Sequence, residues 1–198
     1  DLHLSIRRQR QMCIRDRSIT YQFFDLDKQK GLLTSETVSK KFPDNFGYGL
    51  YYALGLMQNG KIDEAKKKLK SLNMQLSAQR PYHQKRYNHY LSYLWGNYYF
   101  LTENNKVALE YLNSCINNYN SDLDIFLANA LLLKGKIHDI QNNRFEARRA
   151  YKECIKLKNQ ARRCTLGTYN FESHLAYRTP VIQQRLPPLL LLCDFLAD

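Results

Sequence analysis

Residues 87 to 157 read YNHYLSYLWGNYYFLTENNKVALEYLNSCINNYNSDLDIFLANALLLKGKIHDIQNNRFEARRAYKECIKL, and they carry one pattern twice. Gly96 is followed twelve residues later by Ala108, then by Leu112, Cys115 and Ile116. Gly135, thirty-nine residues after Gly96, is followed twelve residues later by Ala147, then by Tyr151, Cys154 and Ile155. Small residues recur where two helices must touch, and large apolar ones recur where they interlock. A helix–turn–helix unit repeated at a period of this size marks a stacked array. The expected fold is therefore all-α: an α-solenoid of about three helical pairs plus flanking helices.

Inside this stretch the spacing predicts a long helix over 82–102. Tyr87, Leu91, Leu94, Tyr98 and Leu101 form one stripe, and Ser92, Trp95, Gly96 and Tyr99 a second. A helix apolar on two faces is sandwiched between neighbours. Glu103-Asn104-Asn105 reads as the turn and 106–118 as the return helix. Ser121-Asp122-Leu123-Asp124 then reads as a helix start near a capping box, opening a pair over 122–140 and 144–158 with its turn at Asn142-Asn143.

Upstream, Phe46 to Gln58 and Ile62 to Leu72 are expected to pair across the Asn59-Gly60 turn, with Asp63-Glu64 in the first turn of the second helix favouring its dipole. Residues 73–81 read as a linker ending in Pro81, a good first-turn residue. Residues 19–45 read as a degenerate partial repeat, with a helix over Leu32 to Phe42 contacting its neighbour through Leu33, Val38 and Phe42. Phe42-Pro43-Asp44-Asn45 should end that helix and cap the next. Downstream, residues 159–180 are expected to form a capping helix around Leu166, Phe171 and Leu175, and 181–198 an irregular tail. Residues 1–18 read as a non-native or disordered arm, set aside from the fold; the rival reading is a basic arm for nucleic acid or membrane. The stretch Arg7 to Ser18 resembles translated sequencing-adapter sequence, and Asp1 in place of an initiator Met leads us to expect a fragment or a processed chain.

Composition bounds the function class. Aromatics make up 13% of the chain, with fifteen Tyr, far too many for a disordered segment. The net charge is +12, of which five Arg against two Asp contribute +3 within residues 1–17. The rest is spread along the chain, and its densest run, Lys66-Lys67-Lys68 with Lys70, reads as the solvated face of a helix whose apolar stripe is Ile62, Ala65, Leu69 and Leu72. The rival reading is a patch for an acidic partner. The five Cys include no C-x-x-C; Cys115 and Cys154 take equivalent repeat positions and read as structural thiols. No signal peptide is visible and no apolar run is long enough to span a bilayer. A reducing, cytoplasmic setting is the default expectation.

With Ala147, Tyr151 and Cys154 in place, residues 43–158 resemble the tetratricopeptide (TPR) family. That family has a large then a small residue in the first helix with an aromatic further on, and after the turn Ala, a large apolar residue and a small one. Trp95-Gly96, Tyr99, Ala108, Leu112 and Cys115 fit this, as do Gly135, Ala147, Tyr151 and Cys154, and Ala53, Gly60, Ala65 and Leu69. Lys134 stands where a large apolar residue is usual, Glu103 and Asn142 stand where the family has its turn Gly, and the spacings of 43 and 39 residues exceed the family's 34. The resemblance implies a TPR-like solenoid whose domain proper is 46–158, and a protein–protein interaction module that binds a peptide or partner domain in a concave groove. The implied groove positions are Tyr90, Tyr93, Asn97 and Phe100, then Asn129, Leu132, Lys136 and Asp139. Aromatics would supply contact area there, and Asn or Lys would hold a peptide backbone or carboxylate. The competing reading is that Tyr90, Tyr93 and Phe100 only fill gaps between helices. Similar arrays also occur as C-terminal regions of some hydrolases, so a non-catalytic part of a larger enzyme is one alternative. An RNA-binding helical repeat, suggested by charge and Tyr content, is the other.

No enzyme, cofactor or metal is expected. His83, His89, His138 and His174 lack ligand spacing, and neither H-E-x-x-H nor G-x-S-x-G is present. The run Gly55 to Ile62 mimics a phosphate loop but has Ile62 where a Ser or Thr is needed, and it leaves a helix rather than a strand.

Overall fold

The computed structural model describes residues 27–119 and 124–167, with side chains for 27–119 and 126–157. The expectations for residues 1–18, for the start of the 19–45 segment, for the capping helix beyond 167 and for the 181–198 tail fall outside the described residues. Every regular element among the described residues is a helix: α1 (Lys28–Lys41), α2 (Phe46–Gln58), α3 (Ile62–Ser77), α4 (Pro81–Leu101), α5 (Asn105–Asn117), α6 (Asp124–Ile140) and α7 (Arg144–Gly167). The chain divides into two compact units, Asp1–Asn120 with α1 to α5, and Ser121–Asp198 with α6 and α7.

In the first unit each helix packs on the next, and α2 also reaches α4. Asp27 caps α1 by accepting from the Lys30 N–H at 2.9 Å, and that hydrogen bond lowers its carboxyl pKa. The buried stripe of α1 is Leu32, Ser35, Val38 and Ser39. Leu33, expected to face a neighbour, lies off that stripe and is 61% exposed. Asn45 caps α2 through the Tyr48 N–H, as Pro43-Asp44-Asn45 led us to expect. Helix α3 runs five residues past the expected Leu72, because Leu76 extends the buried series Ala65, Leu69 and Leu72 by another turn. The expected linker 73–81 therefore shrinks to Ala78, Gln79 and Arg80, which Gln84 braces by donating its amide to the Ser77 and Gln79 carbonyls. Helix α4 is sandwiched, with Leu91, Leu94 and Tyr98 buried on one stripe and Ser92 and Gly96 on the other. Leu101, the expected end of the first stripe, is instead 43% exposed at the last residue of α4, where the chain turns away.

Both glycines singled out in the sequence sit at helix contacts. A methyl group added at Gly96 would lie 2.8 Å from Leu112 Cγ and Cδ2, so only hydrogen lets α5 approach α4 this closely. One added at Gly135 would strike the ring of Tyr151, 2.7 Å from its Cδ1 and Cζ. Ala108 and Ala147 are fully buried. Helices α6 and α7 form the second unit's hairpin, closed by Ala147, Ala150, Tyr151 and Cys154.

Three of the inter-helix turns share one geometry. The residues after the helix caps, Gly60, Glu103 and Asn142, have φ of 73°, 60° and 58°. In each turn the next N–H bonds back five residues: Lys61 to the Leu56 carbonyl at 2.9 Å, Asn104 to Tyr99 at 2.9 Å and Asn143 to His138 at 2.9 Å. This is the Schellman closure, which satisfies the orphan carbonyls at a helix end with a left-handed residue. Glycine takes that conformation freely and Asn tolerates it, whereas Glu103 is held there against roughly 1–2 kcal/mol of intrinsic preference.

Candidate functional site

Four of the eight expected groove residues lie on α4 and four on α6, one set in each unit. On α4, Tyr90 and Tyr93 are 5% and 7% exposed. Tyr90 packs its ring 3.9 Å from that of His89, which is fully buried. Burial, and secondarily the neighbouring Cys115, push the Tyr93 phenol far above its ordinary range. These two rings fill the interior, in line with the gap-filling reading. Asn97 and Phe100, further along the same face, remain half-exposed. On α6, Asn129 and Lys136 are half-exposed, whereas Leu132 is buried at 3% exposure. Asp139 is committed within its own hairpin: it accepts the Tyr151 hydroxyl at 2.6 Å and pairs with Arg144 at 3.0 Å.

A concavity of the first unit lies elsewhere. It holds about 630 Å³ between the end of α3, the start of α4 and the end of α5. Asn73, Leu76 and Ser77 form one wall, Pro81, Gln84, Lys85 and Asn88 a second, and Asn117, Asn118 and Tyr119 the third. Since successive helical residues turn by about 100°, the α4 wall lies roughly opposite the Asn97 face of the same helix. Five of the ten lining side chains are amides, each of which both donates and accepts. Two are already tied down, Gln84 to the α3–α4 linker and Asn118 to the Ser114 carbonyl at 2.9 Å. They fix the rim, while Asn73, Asn88 and Asn117 are exposed at it.

No known protein family, curated protein sequence or solved structure matches this chain. What the cleft can hold follows from its own side chains. Amides around the cleft, beside the buried Leu76 and the exposed Pro81, can pair with the alternating N–H and C=O groups of an extended peptide. A cavity of several hundred cubic ångströms is the usual size for a ligand site.

The sequence reading missed this cleft. Its walls come from two neighbouring stretches and a third well downstream, 117–119, and the α3 wall lies in the segment taken as a linker. The recurrence of Asn at Asn73, Asn88 and Asn117-Asn118 was the available signal.

The basic run is also less uniform than expected. Lys66 Nζ sits 5.9 Å over the Tyr98 ring, and Lys68 Nζ sits 5.9 Å over Tyr52, where burial lowers the Lys68 pKa. Lys67 and Lys70 are exposed. Tyr98 belongs to a cluster in which Trp95, Tyr99 and Tyr111 stack on one another, Tyr99 and Tyr111 with centroids 5.5 Å apart.

Proposed function

We propose that this chain is a protein-interaction module, a TPR-like solenoid of helical hairpins that holds an extended peptide segment. The repeated small-residue contacts at Gly96 and Gly135 and the threefold Schellman turn support the solenoid part of this reading. The observation that carries the binding part is the amide-rimmed cleft of about 630 Å³. Asn73, Asn88 and Asn117 would pair with the peptide backbone, and Leu76 and Pro81 would receive one side chain. Lys85 would favour a nearby acidic residue of the ligand.

The RNA-binding alternative draws on the chain's charge of +12 and on the Lys66–Tyr98 contact. It is the weaker reading, because base stacking needs open ring faces and those of Tyr90 and Tyr93 are buried.

Fluorescence-polarisation titration of the full chain against peptide pools and single-stranded RNA, at low and moderate salt, separates these readings. We expect salt-insensitive peptide capture. Asn88→Leu should weaken it about 30-fold, since two hydrogen bonds at about 1 kcal/mol each are lost, and Phe100→Ala on the opposite face should leave it unchanged. Loss on Phe100→Ala alone would move the site to the Asn97–Phe100 face. Tight RNA binding with a steep salt slope would replace the reading altogether.

A further inference from the structure

The charges around the amide-rimmed cleft are of one sign. Among its lining residues Lys85 alone is charged. Two more cations stand beside it. Lys70 precedes the lining residue Ser77 by seven positions, within about 20° of two full helical turns, so the two share one side of α3. Arg80 directly precedes Pro81, where α3 gives way to α4. All three cations are exposed. Carboxylates are missing from this part of the chain: residues 65–102 hold seven Lys or Arg and no Asp or Glu. Along the three helices that build the cleft, the nearest acidic residues are Glu64 and Glu110. At about 1.5 Å of rise per residue they lie about 13.5 Å before Asn73 and about 10.5 Å before Asn117, whereas Lys70 lies about 4.5 Å before Asn73. Charges are screened over about 8 Å at physiological salt, so the cations act on the cleft and these carboxylates largely do not.

We propose that the partner segment held in this cleft is acidic, with Asp or Glu side chains that meet Lys70, Arg80 and Lys85 while the Asn amides hold its backbone. Lys70 and Ser77 are separated by about 10.5 Å along α3. An extended chain covers that span in about three residues at about 3.3 Å each. Acidic residues two or three apart in the ligand therefore reach successive cations. The amide contacts supply an affinity that salt does not change, and the cations add a salt-dependent increment for acidic sequences, together with faster association. A strand of RNA offers phosphates to the same cations but needs aromatic faces for its bases, and Tyr119 is the one aromatic side chain among the lining residues. The lining favours a peptide.

The acidic preference rests on the cleft binding peptide at all, and one set of titrations separates the two. Three fluorescein-labelled peptides of equal length, alternating Leu with Glu, with Gln or with Lys, are titrated with the full chain. At low salt the Glu peptide should bind about 30-fold more tightly than the Gln peptide, at about threefold for each of three exposed ion pairs. The difference should vanish near 1 M salt, where screening reaches about 3 Å. Lys85→Glu should cut the preference about tenfold, since it replaces an attraction by a repulsion of like size, and adding Lys70→Glu should invert it. Both positions are exposed, so the variants should keep the wild-type helical circular dichroism. Lys152→Glu, an equal change of net charge outside the first unit, should leave the preference intact. Equal binding of the Glu and Gln peptides at low salt overturns the acidic preference and leaves peptide binding standing, whereas capture of none of the three overturns both. A loss on Lys152→Glu as large as on Lys85→Glu overturns the preference as a property of the cleft. So does single-stranded RNA that binds more tightly than the Glu peptide and is released by Lys85→Glu.

Discussion

Replacing Gly135 by Ala sets two effects of known size against each other. In an isolated helix the change is favourable by about 1 kcal/mol, because glycine loses more backbone entropy than alanine on folding. Here the new methyl would overlap the Tyr151 ring, 2.7 Å from Cδ1 and Cζ, on a side chain only 1% exposed. A flexible side chain could swing its far end aside, but a planar ring must move whole. The ring is also tethered, since its hydroxyl donates to Asp139 at 2.6 Å. Overpacking of this kind costs about 1–3 kcal/mol, and disturbing a hydrogen bond to a carboxylate about 1.5 kcal/mol more. The net expectation is destabilisation by about 2 kcal/mol. In urea unfolding followed by far-ultraviolet circular dichroism, that lowers the midpoint by about 1 M. A double-mutant cycle makes the test sharper. On a Tyr151→Leu background the clash is gone, so Gly135→Ala should be neutral or stabilising and the coupling should reach about 2–3 kcal/mol. If Gly135→Ala stabilises the wild-type chain, or costs the same on both backgrounds, the close contact between α6 and α7 is not what fixes glycine there.

Three further outcomes follow from the same packing. Glu103→Gly should raise the melting temperature by about 2–4 °C, since it releases roughly 1 kcal/mol of left-handed strain without removing a packed side chain; a lower melting temperature would mean that the Glu103 side chain contributes more than its backbone costs. Burial pushes the Cys115 thiol from 9.0 up to about 12. The unfolded thiol therefore ionises first, and the stability this group contributes, intact below pH 9, declines as pH rises towards 12 by about 1.4 kcal/mol per unit. Cys115→Ala should flatten that part of the pH–stability curve, and iodoacetamide mapping at pH 8 should leave Cys115 unmodified until denaturant is added. Asn59→Ala removes an amide that donates to the Lys28 carbonyl at 2.9 Å and the Gly55 carbonyl at 2.8 Å, joining α1 to α2. It should cost about 1–2 kcal/mol by thermal melting, and a neutral result would show that water replaces both bonds.

The helices and their pairing were legible because close packing is written in residue size. Gly96 and Gly135 recur where facing side chains, Leu112 and Tyr151, leave room for a hydrogen only, and no solvent-exposed position would require that. Turns were legible where chemistry is local, as at Asn59-Gly60, and less so at Glu103, whose side chain gives no hint of a positive φ. There the two packed helices impose the geometry, and the backbone bond from Asn104 to Tyr99 completes it. The end of α3 was misplaced for a related reason. Asn73, Met74 and Gln75 look like a departure from the stripe, yet Leu76 restores the register one turn later and is buried.

The proposed binding surface was harder to read because its residues are mostly polar and come from three helices, so no apolar stripe marks it. Family resemblance directs attention to one face of α4, where Tyr90 and Tyr93 are consumed by the interior and only Asn97 and Phe100 keep some exposure. The opposite face of the same helix carries Gln84 and Asn88 into a cleft whose remaining amides arrive from α3 and α5. A site made of helix ends inherits its geometry from whatever sets where each helix stops: the Leu76 anchor for α3, Pro81 and the Gln84 brace for α4, and the Asn118 cap for α5. Gln84→Ala should therefore loosen peptide binding even if its side chain never meets the ligand, because the Ser77–Gln79 carbonyls it holds determine how α3 and α4 diverge. Loss of affinity with unchanged helical content would fit that indirect role, whereas undiminished affinity would show that the cleft is shaped without the brace.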